Sequence, residues 1–182
     1  MTTYYSPTAL LTTSQKYPTT FHLTIPSLSP LNNHAPITPN TKLDLPIWMA
    51  EMLAVSKPSG PGSDSLATLD MPAALNEKVL NALRADPRSV DLRAQATWFY
   101  GLGERMLELF EEEEVAAVLV ETFRLRTLEI ADKAQHSGAT QQGGGAGGEF
   151  MQGLDDTERQ LFRAAHDGIT STRRWFETTS RS

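Results

Sequence analysis

The sequence predicts an α+β chain, mostly α, in which a small β-rich unit with short helices precedes a helical bundle. Two observations predict this. Up to about residue 66 the chain is rich in Pro, Thr and Ser and poor in charge, and apolar residues alternate in two short stretches. Beyond SKPSGPGSDS at 56–65, a linker by composition, the apolar spacing becomes helical. The expected organisation is a β-rich domain over 1–56, a linker over 57–66 and a helical domain over 67–182.

Taken in order, Ser6 followed by Pro7 predicts a helix start, with a short helix through Leu10 and Leu11. Phe21, Leu23 and Ile25 alternate with Thr20, His22 and Thr24, which predicts a strand ended by Pro26. A loop is expected over 26–41, with Pro30, Pro36 and Pro39 in it. KLDL at 42–45 predicts a second strand, and Pro46 opens a brief helix with Trp48, Met52 and Val55 along one side. A unit this short buries little surface alone and is expected to lean on something else. Pro72 to Ala85 predicts a helix capped by Asp70 and broken by Asp86-Pro87. Longer helices are expected over about 92–110 and 112–136. Residues 137–153, SGATQQGGGAGGEFMQG, are low-complexity and expected to be disordered. Asp155 with Glu158 predicts a capping box opening a last helix to about Thr178.

Composition excludes several functions. The chain has 182 residues, 40% hydrophobic and 21% charged, so a packed core is expected. A net charge of −6 argues against a dedicated nucleic-acid binder. No cysteine is present, which removes disulfides, thiolate metal sites and cysteine nucleophiles. No apolar run is long enough to span a membrane, and MTTYYSPTALL lacks the features of a signal peptide. A soluble intracellular protein is expected.

TWFYGLGERMLELF at 97–110 poses a sharper question, because Gly101 and Gly103 interrupt a run of helix formers. A phosphate-cradling loop would need a preceding strand and a third glycine, or a following Lys-Ser/Thr; position 106 is Met. On a helical wheel Glu104, Glu108, Gly101 and Arg105 make a narrow wet stripe. Trp98, Phe99, Tyr100, Leu102, Gly103, Met106, Leu107, Leu109 and Phe110 spread over about 200° of the rest. That arc is wide enough to be packed on two sides, and Gly103 lies where a missing side chain lets another helix come close. In the last helix Gly168 lies in an apolar stripe with Leu161, Phe162, Ile169, Trp175 and Phe176, again suggesting close helix approach. In the helix over 112–136, Val115, Leu119, Phe123 and Ile130 form a stripe into which Arg126 falls. Arg126 reads either as an interfacial ion pair or, the preferred reading, as a snorkelling side chain with its head in water.

Catalytic chemistry is missing. His22, His34, His136 and His166 are scattered, and neither HExxH nor GxSxG occurs. No catalytic, cofactor or metal residue is assigned. The acidic run Glu111 to Glu114 suits a helix N-terminus and lacks ligand spacing. The alternative is a small helical metal-dependent enzyme using those clustered carboxylates with His136 or His166. Direct DNA contact through the basic spot at Arg173 and Arg174 is expected to be absent or indirect.

Several segments together resemble the Psf-three subunit family of the eukaryotic GINS complex. KLDLPIWMAEML (42–53) is similar to its basic-acidic-Leu-Pro-Leu-Trp segment, and DPRSVDL (86–92) with FYGLG (99–103) to its Asp-Pro…Val-Asp-Leu…Phe-Tyr-Gly-Phe-Gly signature. TFRLR (122–126) and LDDTERQLFRAAHDGI (154–169) complete the order, and the glycine-rich 137–153 stretch departs from it. The resemblance implies a non-catalytic subunit of a nuclear heterotetramer with three sister subunits. It would join the MCM hexamer and the Cdc-forty-five factor in the replicative helicase, with no cofactor and no membrane contact. Subunit-interface residues are then expected among Trp48, Met52, Trp98, Phe99, Tyr100, Gly103, Met106, Leu107, Phe110, Phe123, Arg126, Gly168 and Trp175.

Overall fold

A computed structural model describes residues 6–57, 65–110, 112–136 and 150–179. The chain divides into two compact units, Met1–Ala73 and Ala74–Ser182. The first is a small three-stranded sheet with short helices and the second is a helical bundle, as the α+β expectation has it.

In the first unit, helix α1 (Pro7–Thr13) starts with proline in its first turn. Strand β1 (Lys16–Phe21) is central in an antiparallel sheet of order β2-β1-β3, with β2 at Lys42–Pro46 and β3 at Ala67–Leu69. β1 lies four residues upstream of its expected start, because the inward alternation is carried by Tyr17, Thr19 and Phe21, all fully buried. Pro18 discourages a strand reading there. It is tolerated because its carbonyl, on the same side as its nitrogen, meets Asp70 N at 2.9 Å, just past the end of the β3 ladder, where no N–H is required. Ile25 keeps one isolated bridge to Ile37. The expected loop over 26–41 instead begins with a 3-10 helix, Pro26–Asn32. β3, three residues long, has too little pattern to be visible in sequence. Helix α2 (Ile47–Val55) covers the sheet, and Phe21, Ile37, Leu45, Ala50 and Ala67 form the core.

Asp70 is not a helix cap. Its carboxylate accepts from Thr20 Oγ1 at 2.7 Å and Lys42 Nζ at 3.0 Å within the first unit. The helix that follows is shorter than expected: after a 3-10 turn over Ala73–Leu75, Asn76 caps α3 (Glu77–Ala85) by accepting from Val79 N at 2.9 Å.

The helix expected over 92–110 is two helices. α4 (Leu92–Gln95) is capped by Asp91, the backbone is extended at Ala96, and α5 spans Phe99–Leu109. The start of another helix occupies the break: Asp156 N donates to Thr97 O at 3.1 Å. α6 (Glu113–His136) and α7 (Asp156–Thr179) pack along each other and match their expected spans closely. Residues 137–149 lie outside the described residues, as do 58–64 of the linker. Phe150 to Gly153, expected to be disordered, are ordered: Phe150 begins a short helical turn and is 8% exposed. Gly153 O holds the start of α4 by accepting from Leu92 N at 3.1 Å. No helix among the described residues is long and apolar enough to cross a membrane.

Candidate interaction surfaces and the buried Arg126 cluster

Arg126 neither snorkels nor reaches outward. It has no exposed surface, and all five of its N–H donors are used inside the second unit. Nε and one Nη bind Glu158 side-on at 2.7 and 2.9 Å, and the remaining donors reach Pro87 O, Val90 O and Gly153 O at 2.8, 3.0 and 3.3 Å. Glu158 is equally satisfied: it also accepts from Tyr100 Oη at 3.0 Å and from Asp155 N at 3.3 Å. Asp155 completes the capping box by accepting from Glu158 N at 2.8 Å. Its other oxygen accepts from Tyr100 N at 3.3 Å, so one carboxylate caps α7 and α5 together. Four segments far apart in sequence therefore meet at one ion pair.

This environment is dry. Burial pushes the Asp155 carboxyl up to about 6, with the Glu158 charge adding to the rise. Burial and the same carboxylate push the Tyr100 phenol well above its ordinary value, fixing it as a hydrogen-bond donor. A fully paired, fully buried cluster specifies geometry and offers no open position for a substrate. Among the described residues no group of three His, Asp or Glu side chains could hold a metal ion. Glu111 of the acidic run lies outside them.

The residues expected at subunit interfaces separate into two sets. Phe99, Gly103, Met106 and Arg126 are buried within the chain itself. Gly103 does permit a close approach, but by this chain's own α6: a Cβ there would lie 2.6 Å from Leu119 Cδ1. Gly168 faces open space rather than a packed helix among the described residues. Trp98, Tyr100, Leu107 and Phe110 are half-buried, the Tyr100 ring packing edge-on against Phe123 at 5.1 Å.

The second set is open. Trp48 is 48% exposed, Met52 64% and Trp175 60%, and Phe123 is partly exposed. Trp48 and Met52 edge an apolar groove of about 330 Å³ between α2 and the 3-10 helix, closed by Leu28, Pro30 and Leu31. Sequence reading missed the far wall because Pro26 and Pro30 made that stretch look like a loop. It also missed Val120 and Leu128, exposed on α6, whose overall apolar pattern is diffuse. The second half of α7 is exposed on every side from Thr170 to Thr179, Trp175 and Phe176 included.

Comparison with known proteins matches both units. Residues 74–177 fit the model of the GINS complex protein helical bundle domain, and residues 5–55 fit that of the PSF3 N-terminal domain. The chain is 50% identical to the DNA replication complex GINS protein PSF3 of Phaeosphaeria nodorum, covering 100% of this chain and 99% of that one. It is 50% identical to the protein of the same name in Aspergillus fumigatus, over 94% and 95% of the two chains. The Schizosaccharomyces pombe protein is 34% identical over 97% and 99%. With both domains matched in order and the full length covered, the chain belongs to the PSF3 family of the GINS DNA replication complex.

Proposed function

We propose that the chain is a non-catalytic scaffold subunit of a nuclear heterotetramer formed with three sister GINS subunits. In this reading the assembly joins the MCM hexamer and the Cdc-forty-five factor as an accessory of the replicative helicase, in initiation and elongation of DNA replication. One observation carries it: each unit fills its own core and still leaves large apolar side chains in water. Trp48, Met52 and Val55 line one side of α2, Val120 and Leu128 stand out on α6, and Trp175 and Phe176 on α7. Exposed apolar surface of this kind marks contact with other proteins. The boundaries 1–56, 57–66 and 67–182 are the proposed domain limits from sequence, with β3 (Ala67–Leu69) counted in the first unit, whose sheet it completes.

Coexpression with the three sister subunits should give a particle whose native mass corresponds to one copy of each. A stable lone monomer at micromolar concentration that ignores its sisters would overturn the proposal.

A further inference from the structure

The sequence holds three Ser/Thr-Pro pairs, Ser6-Pro7, Ser29-Pro30 and Thr38-Pro39, and the fold presents them differently. Ser6 runs directly into α1 and Ser29 lies inside the 3-10 helix, and both are half-buried. Thr38 is exposed, as are Pro39 and Asn40 after it. It opens a turn closed by Thr41 N donating to Thr38 O at 3.1 Å, with Asn40 at a φ of 66°. Proline second and a left-handed residue third make a type II turn, so the backbone stays extended through Pro39 and reverses only at Asn40. The turn is anchored on both sides, by the fully buried Ile37 before it and by Thr41 O, which accepts from Phe21 N at 2.9 Å. Thr38 Oγ1 lies 3.2 Å from Thr41 Oγ1, which itself accepts from Thr38 N at 3.1 Å. No Asp, Glu, Lys or Arg occurs between Lys16 and Lys42.

We propose that Thr38 is a phosphate acceptor: a proline-directed protein kinase modifies this exposed turn on the folded chain, with ATP as the donor. Thr38 Oγ1 attacks the γ-phosphorus of ATP. The Oγ1–P bond forms as the bond from that phosphorus to the ADP oxygen breaks, and the hydroxyl proton passes to the kinase's catalytic aspartate. Pro39 supplies the selectivity. A kinase site with no acceptor for the residue after the threonine would bury an unpaired N–H of any other residue, and proline has none. The turn tolerates the product, because Oγ1 can still accept from the Thr41 hydroxyl and the bond from Thr41 N to Thr38 O is not involved. What changes is charge: about two negative charges enter a stretch with no fixed charge of its own.

The test is incubation of the full chain with magnesium ATP and, in separate reactions, a mitogen-activated and a cyclin-dependent protein kinase, with the sites located by peptide mass spectrometry. Thr38 should take phosphate about tenfold faster than Ser6 or Ser29, which must first open out of their helices. The melting midpoint of the product should stay nearly unchanged. Pro39→Ala, which keeps the hydroxyl, should slow the reaction at Thr38 by about tenfold or more. A chain that neither kinase phosphorylates at Thr38, or that is modified there no faster than at the two serines, would overturn the proposal. A Pro39→Ala chain modified at the wild-type rate would overturn it too.

Discussion

Arg126 and Glu158 bind each other side-on at 2.7 and 2.9 Å, with side-chain exposures of 1% and 0%. The pair fastens α6 to the first turn of α7, and through Pro87 O and Val90 O it anchors the turn before α4. Removing one partner strands the other in a dry interior. Arg126→Met should destabilise the helical unit by about 3–5 kcal/mol, measured by urea unfolding. Arg126→Met combined with Glu158→Leu should recover part of that loss, since no bare charge remains. A double variant as unstable as the sum of the singles would show that the pair is not coupled.

Close packing of α5 on α6 sets a size limit at position 103. Gly103→Ala pushes on the mobile end of Leu119, while improving helix propensity by up to about 1 kcal/mol, so its net effect should be small. Gly103→Leu should cost about 1–3 kcal/mol through overpacking. Leu119→Ala in the same chain should relieve much of that. Gly101, half-buried on the wetter side, should accept alanine readily. Thermal melting of the four variants separates these outcomes.

Trp48 and Met52 contribute little to the fold, yet should matter for assembly. Trp48→Glu with Met52→Glu should leave the circular dichroism spectrum and melting midpoint nearly unchanged. Recovery of the chain with sister subunits should drop at least tenfold, equivalent to about 1.4 kcal/mol or more of binding. Undiminished copurification would remove this groove from the proposed interface.

Asp70 predicts an acid limb for the first unit. The Thr20 hydroxyl, with Lys42, holds its carboxyl below the ordinary range. A depressed folded-state value means stability present above about pH 4 and lost as pH falls through the folded pKa. Asp70→Asn should flatten that acid-side loss in melts between pH 2.5 and 5.

Local chemistry made much of the chain legible. Pro7 placed α1, and the Asp155–Glu158 spacing placed the start of α7. The apolar spacing placed α6, whereas composition put the change from sheet to helix at the linker and β3 carries the first sheet beyond it, to Leu69. These signals act over three or four residues and need nothing from the rest of the chain. β1 was misplaced because Pro18 hides a strand whose one missing N–H falls where no ladder bond is needed. The single helix expected over 92–110 became two because the start of α7 fills the break at 96–98.

Sequence by itself determined the class of fold, the order of the two units and the presence of more apolar surface than they can cover. Tertiary structure alone decided which apolar residues stay open and which charged ones go inside. Helical wheels give angles about one axis, whereas burial depends on which other axis lies alongside. Thus Phe99 and Met106 vanished into the chain's own core while Trp48 and Trp175 remained in water. Arg126 looked like a surface arginine because its five acceptor oxygens come from two stretches far from it in sequence, Pro87–Val90 and Gly153–Glu158, and only folding brings them to one point.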